Sequence, residues 1–272
     1  MAGNSGQSGR SVTSKVLAIL DAFDIEHPAL TLSEIARRAD VPLATAHRLV
    51  GELQAWRAVA RDPHGRYRIG LRLWEAGLLS DLHTHVREVA MPYMQDLYEA
   101  TRENVHLAMR DHDEAIYVEK LTGHHSVPIV SRTGGRLPLH TTGVGKALLA
   151  WEDDEFVQSY LSRPLARPTR YSIGEPGRLR KDLARTRQRG FAMTKEEMTL
   201  GSFSVASPVL VGDRPVAALG LVVRSMRVDP RKLAPPVVAA AGAVARRLEA
   251  AGDDPYPGYQ HDFRLGEGRR PG

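Results

Sequence analysis

The chain of 272 residues is 42% hydrophobic and 25% charged, which is an ordinary globular composition and leaves room for two domains. Because it contains no cysteine, a disulfide framework, a thiolate metal site and a cysteine nucleophile are all excluded. The formal net charge of +5 suits a polyanionic partner, but the excess is small, so the case for nucleic-acid binding depends on where the basic residues are placed.

The chain opens with a Gly- and Ser-rich stretch, residues 1–10, which is predicted to be a flexible leader. The leader lacks the hydrophobic core of a signal peptide, and no apolar run approaches the roughly 18 to 20 residues that a membrane span needs. These two features predict a soluble, cytoplasmic protein. Apolar residues at helical spacing over 11–23 predict a first helix that packs beneath the elements following it.

Residues 31–56 have the pattern of a helix-turn-helix. Thr31 and Glu34 are spaced as a capping box, in which each side chain bonds to the backbone amide of the other, and this predicts the start of a short helix. The Val-Pro pair at 41–42 ends it, because the residue before a proline is disfavoured in the helical region. Apolar residues then repeat with a period close to 3.6 over 43–56, which predicts a second helix with one buried face.

The outer face of this second helix is small and polar near its amino end, as in a recognition helix that enters the major groove. Arg48 is predicted to read a guanine, and Thr45 to touch a base or a phosphate. On periodicity alone, an ordinary packed helical hairpin stays open as an alternative. The residues predicted to face DNA from the two helices are Ser33, Ala44, Thr45, His47 and Arg48.

Two short runs at 59–61 and 67–69, separated by Asp-Pro-His-Gly, predict a strand, a turn and a second strand. Such a hairpin forms the wing of a winged helix. Its arginines can meet phosphates or a minor groove, which positions a domain without reading sequence. The wing residues predicted to face DNA are Arg61, Arg66, Tyr67 and Arg68.

A helix is predicted over 71–84, within a linker over 71–86 that leaves the wing. Its apolar stripe is explained either by packing into a core or by contact with a second copy of the chain. A contact between subunits is favoured, because a winged helix normally reads one half-site and needs a partner for the other.

The rest of the chain alternates helices with strands, which predicts an α+β domain over 87–250 with a largely antiparallel sheet. Residues 251–272 are rich in Gly, Pro and charge and are predicted to be a disordered tail. The predicted helices of the domain cover 89–101, 145–151, 153–162, 176–189 and 235–250. Its predicted strands cover 105–110, 115–120, 127–132, 190–194, 201–211 and 216–225.

A Gly-containing segment, 137–150, runs from a loop into a helix. Free amides at the start of such a helix favour an anionic ligand, although a purely structural loop is an equal alternative. The segment is not a nucleotide loop, because a Walker sequence requires Gly where His140 stands and Ser or Thr where Ala147 stands.

Taken in order, these motifs resemble the IclR family of transcriptional regulators over about 11–248. The resemblance implies a winged helix-turn-helix over 11–70, a linker helix, and an effector-binding domain of GAF/PAS-like fold. It also implies a repressor or activator that binds double-stranded operator DNA as a homodimer, with dimers often paired into tetramers. The segments that carry the resemblance are 32–36, 45–49, 65–71, 139–150, and 190–191 followed by Glu196-Glu197 and Gly201.

Carried over by position, the effector would be a small organic molecule, such as a carboxylic acid or an aromatic metabolite, and no cofactor is implied. Hydroxyl groups would bind an oxygenated group, the amides of Gly143 and Val144 a carboxylate, and Leu137 with Val222 would form an apolar wall. The predicted effector-binding residues are Leu137, Gly143, Val144, Thr194, Ser202, Ser204, Gly220 and Val222.

One position departs from the family pattern. Arg57 follows the recognition helix where the family usually has Gly. The left-handed conformation at a helix end costs a non-glycine residue about 1 kcal/mol, so the helix is predicted to end differently here, which leaves the angle of the wing open.

Two other classes stay open: a small-molecule-binding protein and a metal-dependent enzyme, each without DNA activity. The hydrolase elbow is absent, and Glu196 and Glu197 would point to opposite faces of a strand, so no catalytic residue is predicted. No metal site is predicted either, because the neighbouring histidines lack the i, i+4 spacing with a carboxylate that metal sites show. These histidine pairs are His83 with His85, and His124 with His125.

Overall fold

A computed structural model of the chain describes residues 10–123, 130–224 and 229–250. The chain divides into two compact units at Asp81, inside the predicted linker. None of the described helices is both long enough and apolar enough to cross a membrane. The predicted leader apart from Arg10, the predicted tail, and the pair of His124 and His125 lie outside the described residues.

The amino-terminal unit is a helix-turn-helix followed by a two-stranded hairpin, as predicted. The capping box is confirmed, since the amide of Glu34 donates to Thr31 Oγ1 at 3.3 Å and the amide of Thr31 donates to the Glu34 carboxylate at 2.7 Å. Apolar faces of the three helices before the hairpin close a small core in which Ile19, Ile35 and Leu49 are fully buried. The elements are α1 (Val12–Asp21), α2 (Leu32–Arg38), α3 (Leu43–Ala55), β1 (Val59–Arg61), β2 (Tyr67–Ile69) and α4 (Leu71–Gly77).

The prediction that Arg57 makes the recognition helix end differently is wrong. Arg57 takes the left-handed conformation that glycine would take, with φ at 62°. Its amide donates to the carbonyl of Gln54 at 2.9 Å, and the next amide, of Ala58, donates to the carbonyl of Leu53 at 2.8 Å. These are the two bonds of a Schellman motif, and together they hold Arg57 in a conformation that is costly for an arginine.

Replacing Arg57 with Gly is therefore expected to raise the free energy of unfolding of the amino-terminal unit by about 1 kcal/mol, because glycine adopts a positive φ without a steric penalty. Hydrogen-exchange protection of the buried α3 amides measures this change. Arg37 is a matched control, being an exposed arginine inside α2 without a positive φ. Arg37→Gly should lower the stability by a similar amount, and equal losses in both variants would contradict the prediction.

The linker consists of two helices rather than the one predicted over 71–84. The first, α4, ends at Gly77 and buries none of its residues. After α4, the amides of Leu79 and Ser80 donate to carbonyls only three residues back, which tightens the chain into a turn. The second helix, α5, begins at Asp81 and continues past Pro92 to Thr101, so it starts earlier than the helix predicted from residue 89.

The carboxy-terminal unit is an antiparallel sheet with helices on both faces. Its elements after α5 are β3 (Asn104–Asp111), β4 (Glu114–Leu121), β5 (Arg136–Pro138), a 3₁₀ turn (Leu139–Thr141), α6 (Gly143–Leu149), α7 (Asp154–Leu161), α8 (Pro176–Arg189), β6 (Ala192–Lys195), β7 (Ser202–Val211), β8 (Arg214–Arg224) and α9 (Pro230–Ala250). The strand order is β5-β4-β3-β8-β7-β6, which confirms the predicted α+β class. Helices α5 and α9 cover one face and α6, α7 and α8 the other, so the sheet lies between two hydrophobic cores.

The third strand of this unit lies later in the chain than predicted. Of the predicted strand over 127–132, residues 127–129 are outside the described residues and 130–132 are not in a strand. The strand that pairs with the outer edge of β4, opposite β3, is β5, which follows a turn at Gly134 and Gly135. The strand was predicted at 127–132 because that run contains β-branched residues. In the structure, the amide of Tyr117 donates to the Gly135 carbonyl and the Tyr117 carbonyl accepts from the Gly134 amide. These two bonds align the residues after the glycines with the sheet.

Candidate DNA-reading surface and effector cavity

The outer face of α3 presents the predicted recognition residues to solvent. Ala44, His47 and Arg48 are exposed and Thr45 is half-buried, whereas the opposite face of the helix lies in the core. Residues three and four apart share a helix face, so Ala44, His47 and Arg48 form one continuous surface. Ser33, in the first turn of α2, is exposed as well.

Arg48 already has a partner on this face. Its Nη1 donates to Glu52 Oε1 at 2.6 Å, and both side chains are more than half exposed. An exposed pair at this spacing contributes only about 0.3 to 0.5 kcal/mol. The guanidinium can therefore exchange the carboxylate for a guanine edge at little cost.

The wing is organised around Asp62. Its Oδ1 accepts from the amides of His64 at 3.0 Å and Arg66 at 2.9 Å, and its Oδ2 accepts from Arg68 Nε at 3.4 Å. The amide of Arg66 in particular holds the pKa of Asp62 below its usual value. The carboxylate thus fixes the tip of the hairpin, while the side chains of Arg61, Arg66 and Arg68 remain exposed.

Tyr67 lies elsewhere than predicted. It is 7% exposed and packs in the core of the amino-terminal unit rather than on the DNA-facing surface. Its backbone bonds to Leu30 in both directions, which attaches the wing to the segment before α2. The guanidinium of Arg61 lies 5.5 Å from the centre of its ring. Tyr67 supports the wing from below, and its alternation with Arg66 and Arg68 along the strand is the signal that the prediction overlooked.

All eight residues of the predicted effector set line one cavity of the carboxy-terminal unit. The cavity lies between α6 and the strands β6, β7 and β8, and its empty space is about 430 Å³, part of which is open to solvent. The residues that the family resemblance gathered from distant segments are therefore neighbours in space.

Sequence reasoning missed more than half of the lining. A polar residue between apolar neighbours in a buried strand, such as His106 between Val105 and Leu107 in β3, is the signal that could have found part of it. The other missed positions follow from tertiary contacts that no local pattern reveals. The additional lining residues are His106, Tyr117, Val130, Ser131, Thr141, Thr142, Met198, Thr199, Val205, Ala206 and Leu221.

Two glycines shape the inner end of the cavity. A Cβ added to Gly143 would lie 2.3 Å from Ser204 Oγ, so the start of α6 can rest on β7 only without a side chain there. A Cβ added to Gly220 would lie 3.0 Å from both Ala206 Cβ and Val144 Cγ1. Glycine at these positions brings the backbone of α6 against the sheet. The amides of Gly143 and Val144 are the first two of α6 and have no acceptor within the helix.

The lining combines apolar residues with polar ones but carries no formal charge. None of its described residues is Lys, Arg, Asp or Glu. Thr194 Oγ1 and Ser204 Oγ share a hydrogen bond of 2.7 Å, and His106 Nε2 lies 3.1 Å from Ser131 Oγ. Burial lowers the pKa of His106 to about 3, so its ring is neutral at pH 7. The cavity thus offers hydroxyls, a neutral imidazole and backbone amides to an oxygenated ligand.

Behind the cavity lies a buried cation with two carboxylate partners. Lys146 in α6 is fully buried, and its Nζ donates to Asp182 of α8 at 2.7 Å and to Glu197 at 2.8 Å. Burial raises the pKa of Glu197, and the Lys146 charge opposes that rise. Glu197 directly precedes Met198 and Thr199 of the cavity lining. The cluster therefore joins α6, α8 and the loop after β6.

The two adjacent glutamates follow a strand rather than lying on one as predicted, and they bond to different groups. Strand β6 ends at Lys195, and Glu196 takes a positive φ of 57°. Its carboxylate accepts from the amide of Gly201 at 2.9 Å, whereas Glu197 bonds to Lys146. Among the described side chains, no group of three or more His, Asp or Glu could hold a metal ion.

Two family models match the chain. The model of the IclR helix-turn-helix domain matches residues 12–63, and the model of the C-terminal part of the bacterial transcriptional regulator IclR matches residues 80–250. The first match contains α1, α2, α3 and β1, and the second contains the whole sheet that lines the cavity.

Individual relatives agree with the family models. The HTH-type transcriptional regulator XynR of Escherichia coli is 32% identical over 223 residues, which is 81% of this chain and 88% of XynR. The HTH-type transcriptional repressor AllR of Escherichia coli is 32% identical over 205 residues, or 75% of this chain and 76% of AllR. A crystal structure of an IclR homologue from Microbacterium hydrocarbonoxydans in complex with 4-hydroxybenzoate has 31% identity and a TM-score of 0.85, covering 88% of this chain and all of that one.

Proposed function

This chain belongs to the IclR family of bacterial transcriptional regulators, and we propose that a small aromatic carboxylate bound in its cavity controls the affinity of a homodimer for operator DNA. In this proposal residues 11–70 read the operator, 71–86 link the domains and 87–250 bind the effector. The protein acts as a regulator in the cytoplasm, where bacterial DNA lies, and not as an enzyme. By linkage, effector and DNA change each other's affinity by the same factor.

The cavity carries this proposal. A planar aromatic acid matches a site with an apolar wall, neutral hydroxyls and two helix-start amides, because the amides receive the carboxylate and the hydroxyls receive a ring substituent. The homologue that holds 4-hydroxybenzoate supports the same class of ligand. Since the described lining has no cation, charge recognition depends on the amides of Gly143 and Val144.

Thermal unfolding of the full chain with three probes tests the effector class. 4-Hydroxybenzoate and benzoate are expected to raise the melting temperature in proportion to the logarithm of their concentration, whereas 4-hydroxybenzamide, which has no negative charge, should have little effect. Equal stabilisation by the amide would contradict recognition of a carboxylate. No stabilisation by any of the three would overturn the proposed class.

Two serines of β7 provide the matched pair of variants for this experiment. Ser204 lines the cavity, whereas Ser207 is equally buried on the same strand but bonds to the Gly190 carbonyl outside it. Ser204→Ala should reduce the stabilisation by 4-hydroxybenzoate, and Ser207→Ala should leave it unchanged. The effect on function is measured as the change in affinity for an operator duplex when 4-hydroxybenzoate is added. The operator duplex is first selected from a random-sequence library with the wild-type protein.

The surface of α4 supports self-association. This helix buries none of its residues, and four large apolar side chains, on the helix and just after it, are 46 to 77% exposed. A winged helix that reads one half-site needs a second copy for the other. We therefore assign this stripe to the contact between subunits; its members are Leu71, Trp74, Leu78 and Leu79.

Replacing Leu71 with Asp is expected to dissociate the homodimer, because a charge placed in an apolar contact cannot be solvated there. Sedimentation velocity measures the change in oligomeric state. Exposed Val12 of α1 is the control, since it is an apolar residue of similar exposure outside the stripe. A dimer that survives Leu71→Asp, or that is lost equally in Val12→Asp, would contradict this assignment.

A further inference from the structure

The net charge of the protein is concentrated in one helix that the functions above do not use. The chain has 37 Lys and Arg against 32 Asp and Glu, and α8 alone contains six of the former and one of the latter. Removing α8 from the count leaves 31 basic and 31 acidic residues, so the remainder of the chain is formally neutral. The basic residues of α8 are Arg178, Arg180, Lys181, Arg185, Arg187 and Arg189.

Most of these charges point to solvent without compensation. The single acid of the helix, Asp182, is turned inward to Lys146. Arg178 pairs with Glu175 at 3.0 Å, and Arg180 donates only to the neutral amide of Gln158 at 2.7 Å. Lys181, Arg185 and Arg187 are exposed and form no ion pair with the residues that the structure describes. The buried face of α8, formed by Leu179, Leu183 and Thr186, separates two rows of cations.

Helix stability does not explain this arrangement. Basic residues in the last turn interact favourably with the helix dipole, which accounts for Arg187 and Arg189. The dipole does not favour a cation at Arg178, in the first turn. Lys181 and Arg185 are four residues apart, a spacing at which like charges repel by about 0.2 to 0.5 kcal/mol. The helix therefore retains charges that weaken it.

We propose that the exposed face of α8 is a second, sequence-independent contact surface for the phosphate backbone of duplex DNA. Arginine and lysine neutralise phosphates and release condensed counterions, and this term supplies most of non-specific DNA affinity. Duplex DNA is the polyanion that an IclR-family regulator meets when it works, so the inference rests on the DNA-binding function. The role of the surface is to hold the protein on DNA, while α3 reads the sequence.

The salt dependence of binding to a duplex of random sequence tests this surface. In the full-length protein, the change Lys181→Gln/Arg185→Gln/Arg187→Gln is expected to reduce the slope of log K against log salt by about 0.9 for each lost contact, or up to about 2.7. The control Lys232→Gln/Arg246→Gln/Arg247→Gln removes the same charge from exposed positions of α9 and should leave the slope unchanged. Thermal unfolding of both variants checks that the fold is intact.

Every outcome decides the question. A smaller slope in the α8 variant alone supports the surface. Equal reductions in both variants would show a general effect of net charge, and unchanged slopes would show no contact, so either result overturns the proposal. If the α8 variant loses binding to anionic phospholipid vesicles but keeps its DNA slope, the surface serves a lipid instead and the proposal fails. A wild-type protein that binds no DNA at all would contradict the DNA-binding function itself.

Discussion

Replacing Lys146 with Met is expected to lower the free energy of unfolding of the carboxy-terminal unit by about 3 to 5 kcal/mol, the cost of breaking a buried ion pair by removing one partner. Methionine fits a similar space, so the loss does not come from a cavity. It comes from Glu197 and Asp182, whose carboxylates lose the ammonium that lies 2.8 and 2.7 Å away. Urea unfolding followed by circular dichroism measures the difference from wild type.

The same substitution should weaken the effector site. Lys146 lies one turn beyond the Gly143 and Val144 wall of the cavity, and Glu197 directly precedes the Met198 and Thr199 wall. Because the ion pair joins these two walls, its loss is expected to reduce stabilisation by 4-hydroxybenzoate even where the variant remains folded. A variant that unfolds more easily but binds the probe with unchanged affinity would limit the cluster to a structural role.

The stability lost in Lys146→Met should depend on pH, because Glu197 titrates. Burial raises the pKa of Glu197 and the Lys146 charge opposes that rise, so removing the lysine raises the pKa further. A carboxyl whose pKa is higher in the folded than in the unfolded state takes up its proton on folding. Its destabilising effect is full above the folded pKa and disappears as the pH falls below the unfolded value of about 4.3. The difference between wild type and Lys146→Met should therefore be largest at neutral pH and shrink in acid.

Two further variants separate charge from packing. Adding Glu197→Gln to Lys146→Met should recover part of the loss at neutral pH, because it removes one uncompensated carboxylate. Lys195→Met changes an exposed lysine close to Glu197 in sequence and should alter stability by less than about 0.5 kcal/mol. A similar large loss in Lys195→Met, or no recovery in the double variant, would contradict the assignment to charge.

Lys146 also shows where prediction from sequence reaches its limit. The capping box of α2 was predictable because its two partners are three residues apart, and the wing strands because their turn is local. The partners of Lys146 are 36 and 51 residues away, and a lysine in the first turn of a Gly-rich helix is typical of a solvated position or an anion site. Its burial depends on α6 being enclosed on every side, which no pattern within α6 reveals.

The lining of the effector cavity also separates into residues that could be predicted and residues that could not. Its eight predicted residues came from a family resemblance that carries information about distant contacts, and they do meet in space. His106 is a recognisable buried polar residue, but no pattern within β3 or β4 shows that these strands face α6, so His106 and Tyr117 were missed. Arg57 shows the reverse case, since a local rule predicted a changed helix end and two backbone hydrogen bonds preserved the usual one.

Replacing Arg48 with Ala is expected to weaken binding to the selected operator by about 1 to 3 kcal/mol, or roughly 5- to 150-fold, because a bidentate contact to guanine is lost. Binding to random-sequence DNA should change much less, since base readout contributes little there. Arg48 is exposed on the outer face of α3 and gives up only a surface pair with Glu52 to reach a base. Fluorescence anisotropy with both duplexes at several salt concentrations measures the two affinities.

Arg68→Ala is the comparison that distinguishes a base contact from a phosphate contact. Arg68 is exposed on the wing strand β2 and is predicted to touch a phosphate, so its loss should weaken both duplexes alike and reduce the salt slope by about 0.9. If Arg48→Ala behaves in the same way, Arg48 positions the helix rather than reads a base. The sequence preference would then have to come from the exposed His47 or the half-buried Thr45, which lie near it on α3.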